Sequence, residues 1–173
     1  MKTLTHSILL LLPFIATACG GGAGDAGGVD APTAGLPERF WLEAAPANVP
    51  DVGAARADLA DGATVTVRGV IGGSTKPFVE GLAAFTIVDP ALESCVGHDM
   101  GCETPWDYCC VDPQAIADNS ATVEFREGGR VLEAGLRGAQ GLDPLTTIVV
   151  QGVAELDSRG NVTIVASGVR ALD

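Results

Sequence analysis

Basic residues are scarce in this 173-residue chain: ten Lys and Arg stand against 22 Asp and Glu, a formal net charge of −12 at pH 7. Such a surface does not neutralise phosphates, so nucleic-acid binding is not expected. The same deficit argues against docking on an anionic membrane face. Histidine is scarcer still, with His6 and His98 alone, and no Gly-x-Ser-x-Gly accompanies them. That removes the usual frame of a serine hydrolase. The glycines of residues 69–73 lack the spacing and the lysine of a phosphate loop, and read as a strand end and bend. The most apolar stretch, residues 8–15, falls far short of the roughly 20 residues that a spanning helix needs. Repeats and heptads are lacking too. With no recognisable catalytic constellation, the chain is expected to be neither an enzyme nor the carrier of a resident cofactor or metal.

What the chain does have begins with that short apolar stretch. It follows Lys2 and His6 and ends in Ala16-Thr17-Ala18-Cys19, with small residues at the first and third of these positions. The pattern predicts an export signal over residues 1–18, cleaved directly before Cys19. A cysteine left at the new N-terminus resembles that of bacterial lipoproteins, which acylate it. The resemblance implies a bacterial cell envelope, with Cys19 as the lipidation site and a membrane partner reached through the lipid alone. Each buried methylene of an acyl chain adds about 0.8 kcal/mol, so two or three chains hold a protein firmly. Gly20 stands where inner-membrane lipoproteins often carry Asp, which points toward an outer leaflet or the outer membrane. Ordinary secretory cleavage would cut at the same bond and leave Cys19 as a thiol.

After Cys19, residues 20–35 are Gly, Ala, Asp, Pro and Thr apart from Val29, with almost nothing to bury. This composition predicts a flexible tether. Residues 36–173 are then one domain by size, with enough chain for a modest core. Losing Lys2 with the signal takes the formal charge from −12 to −13. Self-repulsion of that kind keeps a surface from associating.

Alternation of apolar and polar residues governs the domain. Asp51 is placed to cap a short helix over 51–59, which Ala54, Ala55 and Ala57 favour and Asp61-Gly62 stops. Residues 64–68, 84–88 and 122–126 each alternate cleanly, predicting strands that turn Val65, Val67, Phe85, Ile87, Val123 and Phe125 to one interior. Residues 147–156 form a longer, more apolar strand, so a central one, carrying Ile148 and Val150 inward. Ser158 to Asn161 turns the chain, and residues 162–169 return antiparallel with Val162 and Ile164 inward. Asn161-Val162-Thr163 spells a glycosylation acceptor, but at a hairpin in a bacterial envelope it reads as turn and strand.

Five strands in this order predict a mainly β fold: a small closed barrel preceded by a short helix, with a cysteine-rich insertion between the second and third strands. The run Val65-Thr66-Val67-Arg68-Gly69-Val70 and the close Val149-Val150-Gln151-Gly152-Val153 resemble strands of the oligonucleotide/oligosaccharide-binding (OB) fold, a five-stranded Greek-key barrel. Single-strand binders of that fold use aromatics and basic side chains on the outer face of the middle strands. The matching outward positions here are Thr86, Val88, Thr122, Glu124 and Arg126, with no aromatic and one base.

The insertion, residues 89–113, concentrates the unusual chemistry. It carries Cys95, Cys102, Cys109 and Cys110 interleaved with His98, Trp106 and Tyr108, six carboxylates (Asp89, Glu93, Asp99, Glu103, Asp107 and Asp112) and no Lys or Arg. The string from Cys102 through Thr104-Pro105-Trp106-Asp107-Tyr108 to Cys109-Cys110 resembles a motif of uncharacterised bacterial envelope lipoproteins, which implies a relationship but no activity. With Cys19 acylated, four cysteines remain in an oxidising space, and two disulfides are expected. Joining Cys109 to Cys110 would strain a ring across one peptide bond. The two remaining pairings each tie Cys95 and Cys102 to that vicinal pair, and both stay open.

Other uses of the insertion carry weaker signals. Cys95, His98, Cys102 and Cys109 can supply a Cys3His set for zinc or copper, although their spacing is not that of a zinc ribbon. The carboxylates match no calcium-binding pattern. No Cys-x-x-Cys is present, and nearby carboxylates raise thiol pKa values, which disfavours thiol redox chemistry. Trp106 and Tyr108, two apart, share a face if extended and then form a small binding platform or cover the disulfides. The functional expectation is a non-catalytic envelope lipoprotein, a binding or structural module with a protein or glycan partner. The alternative is a metal- or redox-handling module built on the cysteine insertion.

Overall fold

Strand alternation works out almost residue for residue in the computed structural model, which describes residues 35–96 and 102–172. The export signal, Cys19, tether residues 19–34, His98 and Asp99 lie outside the described residues. The long strands are β1 (Thr64–Ile71), β2 (Ala84–Val88) and β3 (Ser120–Glu124), then, after the two-residue pieces β4 (Arg126–Glu127) and β5 (Arg130–Val131), β6 (Thr147–Leu156) and β7 (Val162–Ala171). The long strands close a barrel in the order β1-β2-β3-β7-β6, with β6 returning to β1. Every barrel pairing is antiparallel except β3 with β7, where Val123 lies beside Ile164 in a parallel register. This is the strand order of an OB-like barrel. The ten-residue β6 pairs along β1 on one side and β7 on the other, the central place its apolar character predicts.

The inward faces meet in one core. Val67, Phe85, Ile87, Val123, Phe125, Ile148, Val150, Val162 and Ile164 are all buried there, while Val65, nearer the strand end, is only partly buried against it. The aromatics form a chain through the core: Phe78 to Phe85 at 5.6 Å between centroids, Phe85 to Phe125 at 6.3 Å, and Phe125 to Phe40 edge-on at 5.3 Å. Phe40 comes from a single 3-10 turn, Glu38–Phe40, and the chain beyond it leans on β7, where the Leu42 amide donates to the Val169 carbonyl. Between Gln151 and Gly152 the β6–β7 register shifts in a bulge, and a Cβ at Gly152 would strike the Val165 carbonyl oxygen.

Three local expectations are corrected. The helix α1 covers only Val52–Arg56, and Asp51, though at its N-cap position, makes no side-chain cap. The Asp51 carboxylate instead accepts from Arg68 Nε (2.6 Å) and a terminal guanidinium nitrogen (3.1 Å), and Asp89 caps in its place by accepting from the Gly53 amide. The third strand begins at Ser120 and ends at Glu124, so Phe125 turns inward one residue beyond the ladder and Arg126 opens the β4–β5 hairpin. Val88, on the outer face of β2, is fully buried. The bend after β1 lies over it: Gly73, at φ +87°, packs so close that a Cβ would come within 2.6 Å of Val88 Cγ1.

Candidate functional site: the cysteine insertion and its groove

The insertion leaves β2 at Asp89, the single buried charged residue among the described residues. One carboxylate oxygen of Asp89 accepts from the Gly53 amide and the other from the Ala91 amide, both at 2.8 Å. The Asp89 amide donates to the Asn119 carbonyl, so the two ends of the insertion are clasped where β2 ends and β3 begins. Asp112 caps the second helix, α2 (Pro113–Asp118), by accepting from the Gln114 and Ala115 amides. Asp107 accepts from the Thr104 hydroxyl and the Cys109 amide, each at 2.8 Å. Those two interactions, the Cys109 amide foremost, hold the Asp107 carboxyl below its usual range. Asp89, Asp107 and Asp112 thus each hold backbone in place.

Of the two open cysteine pairings, the structure selects one by joining Cys95 to Cys110, with their Cα atoms 6.2 Å apart. Cys95 is buried and the Cys110 amide points at its sulfur. Cys102 and Cys109 are not bonded, yet their sulfurs lie 3.5 Å apart, and Cys109 Sγ also lies 3.7 Å from Cys95 Sγ. Hydrogen bonding with Cys102, burial and the Asp107 carboxylate push the Cys109 thiol up to about 11. A thiol of that kind is a poor thiolate nucleophile near neutrality. Atoms of Cys95, Cys102, Asp107 and Cys109 converge within 4.8 Å of one another, a donor set suited to a thiophilic cation. Cys95 belongs to the disulfide, so the full set exists only in a reduced protein. His98, the fourth ligand that the spacing suggests, is outside the described residues.

Peptide mapping of unreduced, exported protein is expected to find Cys102 linked to Cys109 beside the Cys95–Cys110 link. The Cys95 pairing leaves these two together, and their sulfurs need to close only from 3.5 Å to bonding distance. A chain with both thiols alkylated at full occupancy contradicts this.

Trp106 and Tyr108 do not share a face, because the backbone between them is not extended. Pro105–Asp107 forms a 3-10 turn and Tyr108 takes the left-handed conformation, φ 59°. Tyr108 is 1% exposed and lies over Gly72, where a Cβ would come 2.8 Å from the ring and 2.7 Å from the Trp106 carbonyl oxygen. The Gly73 amide donates to that carbonyl at 2.8 Å. Gly72 and Gly73, which in sequence read as a bend, are therefore the seat of the insertion. Trp106 goes the other way, to the surface, its indole N–H donating to the Thr75 carbonyl at 3.2 Å.

There Trp106 forms one wall of a groove of about 430 Å³. The other walls are residues 75–81 and 135–137. Residues 77–79 run along β2 as an added edge, with the Val79 amide donating to the Ala84 carbonyl and the Thr86 amide to the Pro77 carbonyl. Sequence reasoning placed neither this edge nor the groove. On the barrel's outer middle face Arg126 is held by Glu124 at 2.7 Å and Glu155 at 2.9 Å, beside Thr86 and Thr122, so no aromatic or unpaired base stands there.

No family model and no curated protein matches the chain. Among solved structures, the hypothetical protein ygiW from E. coli is similar, at 16% identity over 77% of this chain and 96% of that one, with a TM-score of 0.37. Similarity that low leaves the architecture resting on this chain's own strand pairing.

Proposed function

We propose that the chain is a non-catalytic binding module of a bacterial envelope, held to the membrane by a lipid on Cys19. The observation that carries the binding reading is the placement of Trp106. A disulfide, a turn braced by Asp107 and two glycines on the barrel fix the insertion so that its one tryptophan stands at a groove between two other loops. An aromatic fixed over a concave surface is a common form of ligand site. The barrel then serves as a rigid support for three converging segments.

The anchor reading is tested by Cys19→Ser in cells that export the protein. The variant is expected in the soluble fraction and the parent with the membranes. Continued sedimentation of the variant after detergent-free washing removes the lipid anchor from the proposal. One observation favours a second reading, a metal-handling insertion: the convergence of Cys95, Cys102, Asp107 and Cys109. Thiol counting on the unreduced protein, with metal analysis of the same sample, separates the two. Stoichiometric metal with four free thiols selects the second.

A further inference from the structure

We propose that the groove beside Trp106 takes an acidic carbohydrate, bound through a uronic-acid ring stacked on the indole. This rests on the reading of that groove as the binding site and names its ligand class. The floor is apolar, formed by Pro77, Phe78 and Leu136, with Pro77 and Leu136 buried. A ring with one apolar face fits against such a floor and the Trp106 wall. Lys76 and Arg137 stand at the rim.

Those two cations give the site its sign. In a chain of net charge −12, most other bases are engaged internally. Arg39 pairs with Glu127, Arg68 with Asp51, and Arg126 with Glu124 and Glu155. Arg56 and Arg170 donate to backbone carbonyls. Lys76, the single lysine among the described residues, takes part in none of the ion pairs found there, and Arg137 reaches Asp143 only at 4.0 Å between exposed side chains. Two available cations therefore meet at the groove that Trp106 walls, whereas Arg130 and Arg159, the other bases outside the ion pairs and backbone contacts named here, lie away from it. Glu80 lies on the same rim and is an acceptor for ring hydroxyls.

A carboxylate beside a pyranose ring matches this arrangement better than a nucleic acid does. Single-stranded nucleic acid requires a row of cations and several stacking platforms. Here one indole and two cations suit one charged ring, with Arg137 able to grip a carboxylate through paired N–H donors. A neutral sugar would bring no counter-charge to either cation.

The test uses the detergent-solubilised full chain carrying Trp41→Phe, so that emission reports Trp106 alone. Three probes are titrated: short oligogalacturonates, the same oligomers with their carboxylates methyl-esterified, and oligothymidylate. Oligogalacturonate is expected to shift Trp106 emission and to bind at least about tenfold more tightly than its ester. Lys76→Gln combined with Arg137→Gln is expected to erase that difference without changing the melting temperature. Calorimetry is expected to show no binding by Trp106→Ala. Equal binding of the ester, with Trp106 responding, overturns the acidic class and leaves the binding module standing. Tighter binding of oligothymidylate overturns it in favour of nucleic acid. No response of Trp106 to any probe overturns the carbohydrate assignment, and unaltered Trp106 emission with crude envelope polysaccharide and lipid fractions removes the groove reading as well.

Discussion

Phe125→Ala is expected to cost about 3–5 kcal/mol, and Phe85→Ala a similar amount. Both rings are fully buried and neighbour each other in the aromatic chain from Phe78 to Phe40. Truncation removes the transfer free energy of the ring and opens a cavity that a closed barrel cannot collapse to fill. Phe125 has a further role. Its amide donates to the Ala83 carbonyl and its carbonyl accepts from Leu132, so its ring is fixed where the chain leaves β3 for the β4–β5 hairpin. A domain of this size is stable by only about 5–15 kcal/mol, so either change takes a large share of the total. Urea unfolding should show the midpoint falling with the slope unchanged. A loss below about 1 kcal/mol for both variants contradicts the shared core.

The barrel was legible because its physics is local and periodic. Alternation at residues 64–68 or 147–156 needs no knowledge of partners to tell which side chains point inward, and five such runs leave a closed barrel as the simplest common interior. The OB-like order was suggested by the resemblance of residues 65–70 and 149–153 to strands of that fold. Details failed where a distant residue competed for a group. Asp51 is a good cap in isolation, yet Arg68, brought beside it on β1, gives its carboxylate a charged partner, and Asp89 supplies the cap from 36 residues away. Val88 alternates outward as expected, but nothing local says that Gly73 will fold over it.

The groove was illegible for the same reason on a larger scale. It is made of one residue from the insertion, a strand-like edge from the link after β1 and three residues from the link after β3. None of these has a motif of its own. Trp106 and Tyr108 were legible as a pair but not as a divided one, because the division depends on a left-handed Tyr108 seated on Gly72. The cysteines were readable in kind and count, while the choice between two pairings needed the fold that buries Cys95 next to Cys110.

Replacing Cys95 and Cys110 together by Ala is expected to lower stability by about 3 kcal/mol while the barrel remains folded. The disulfide closes a segment of sequence separation 15, for which the chain-entropy model gives that magnitude. The insertion depends on the link because it buries little: among the described residues of 89–113, Cys95 and Tyr108 are the buried apolar side chains and none belongs to the barrel core. The same fact protects the barrel, whose core cluster draws on other segments. Far-UV circular dichroism should therefore keep its strand signal in the double variant, while the thermal midpoint falls. Hydrogen exchange should locate the loss, with the Cys95, Cys109 and Gly73 amides, bonded to or within the insertion, exchanging faster and those of β6 scarcely changed. Protection unchanged at those three amides would show that the glycine seat and the Trp106 contacts hold the insertion without the disulfide. Loss of protection throughout β6 would show that the insertion is part of the cooperative core instead of a structure built on it.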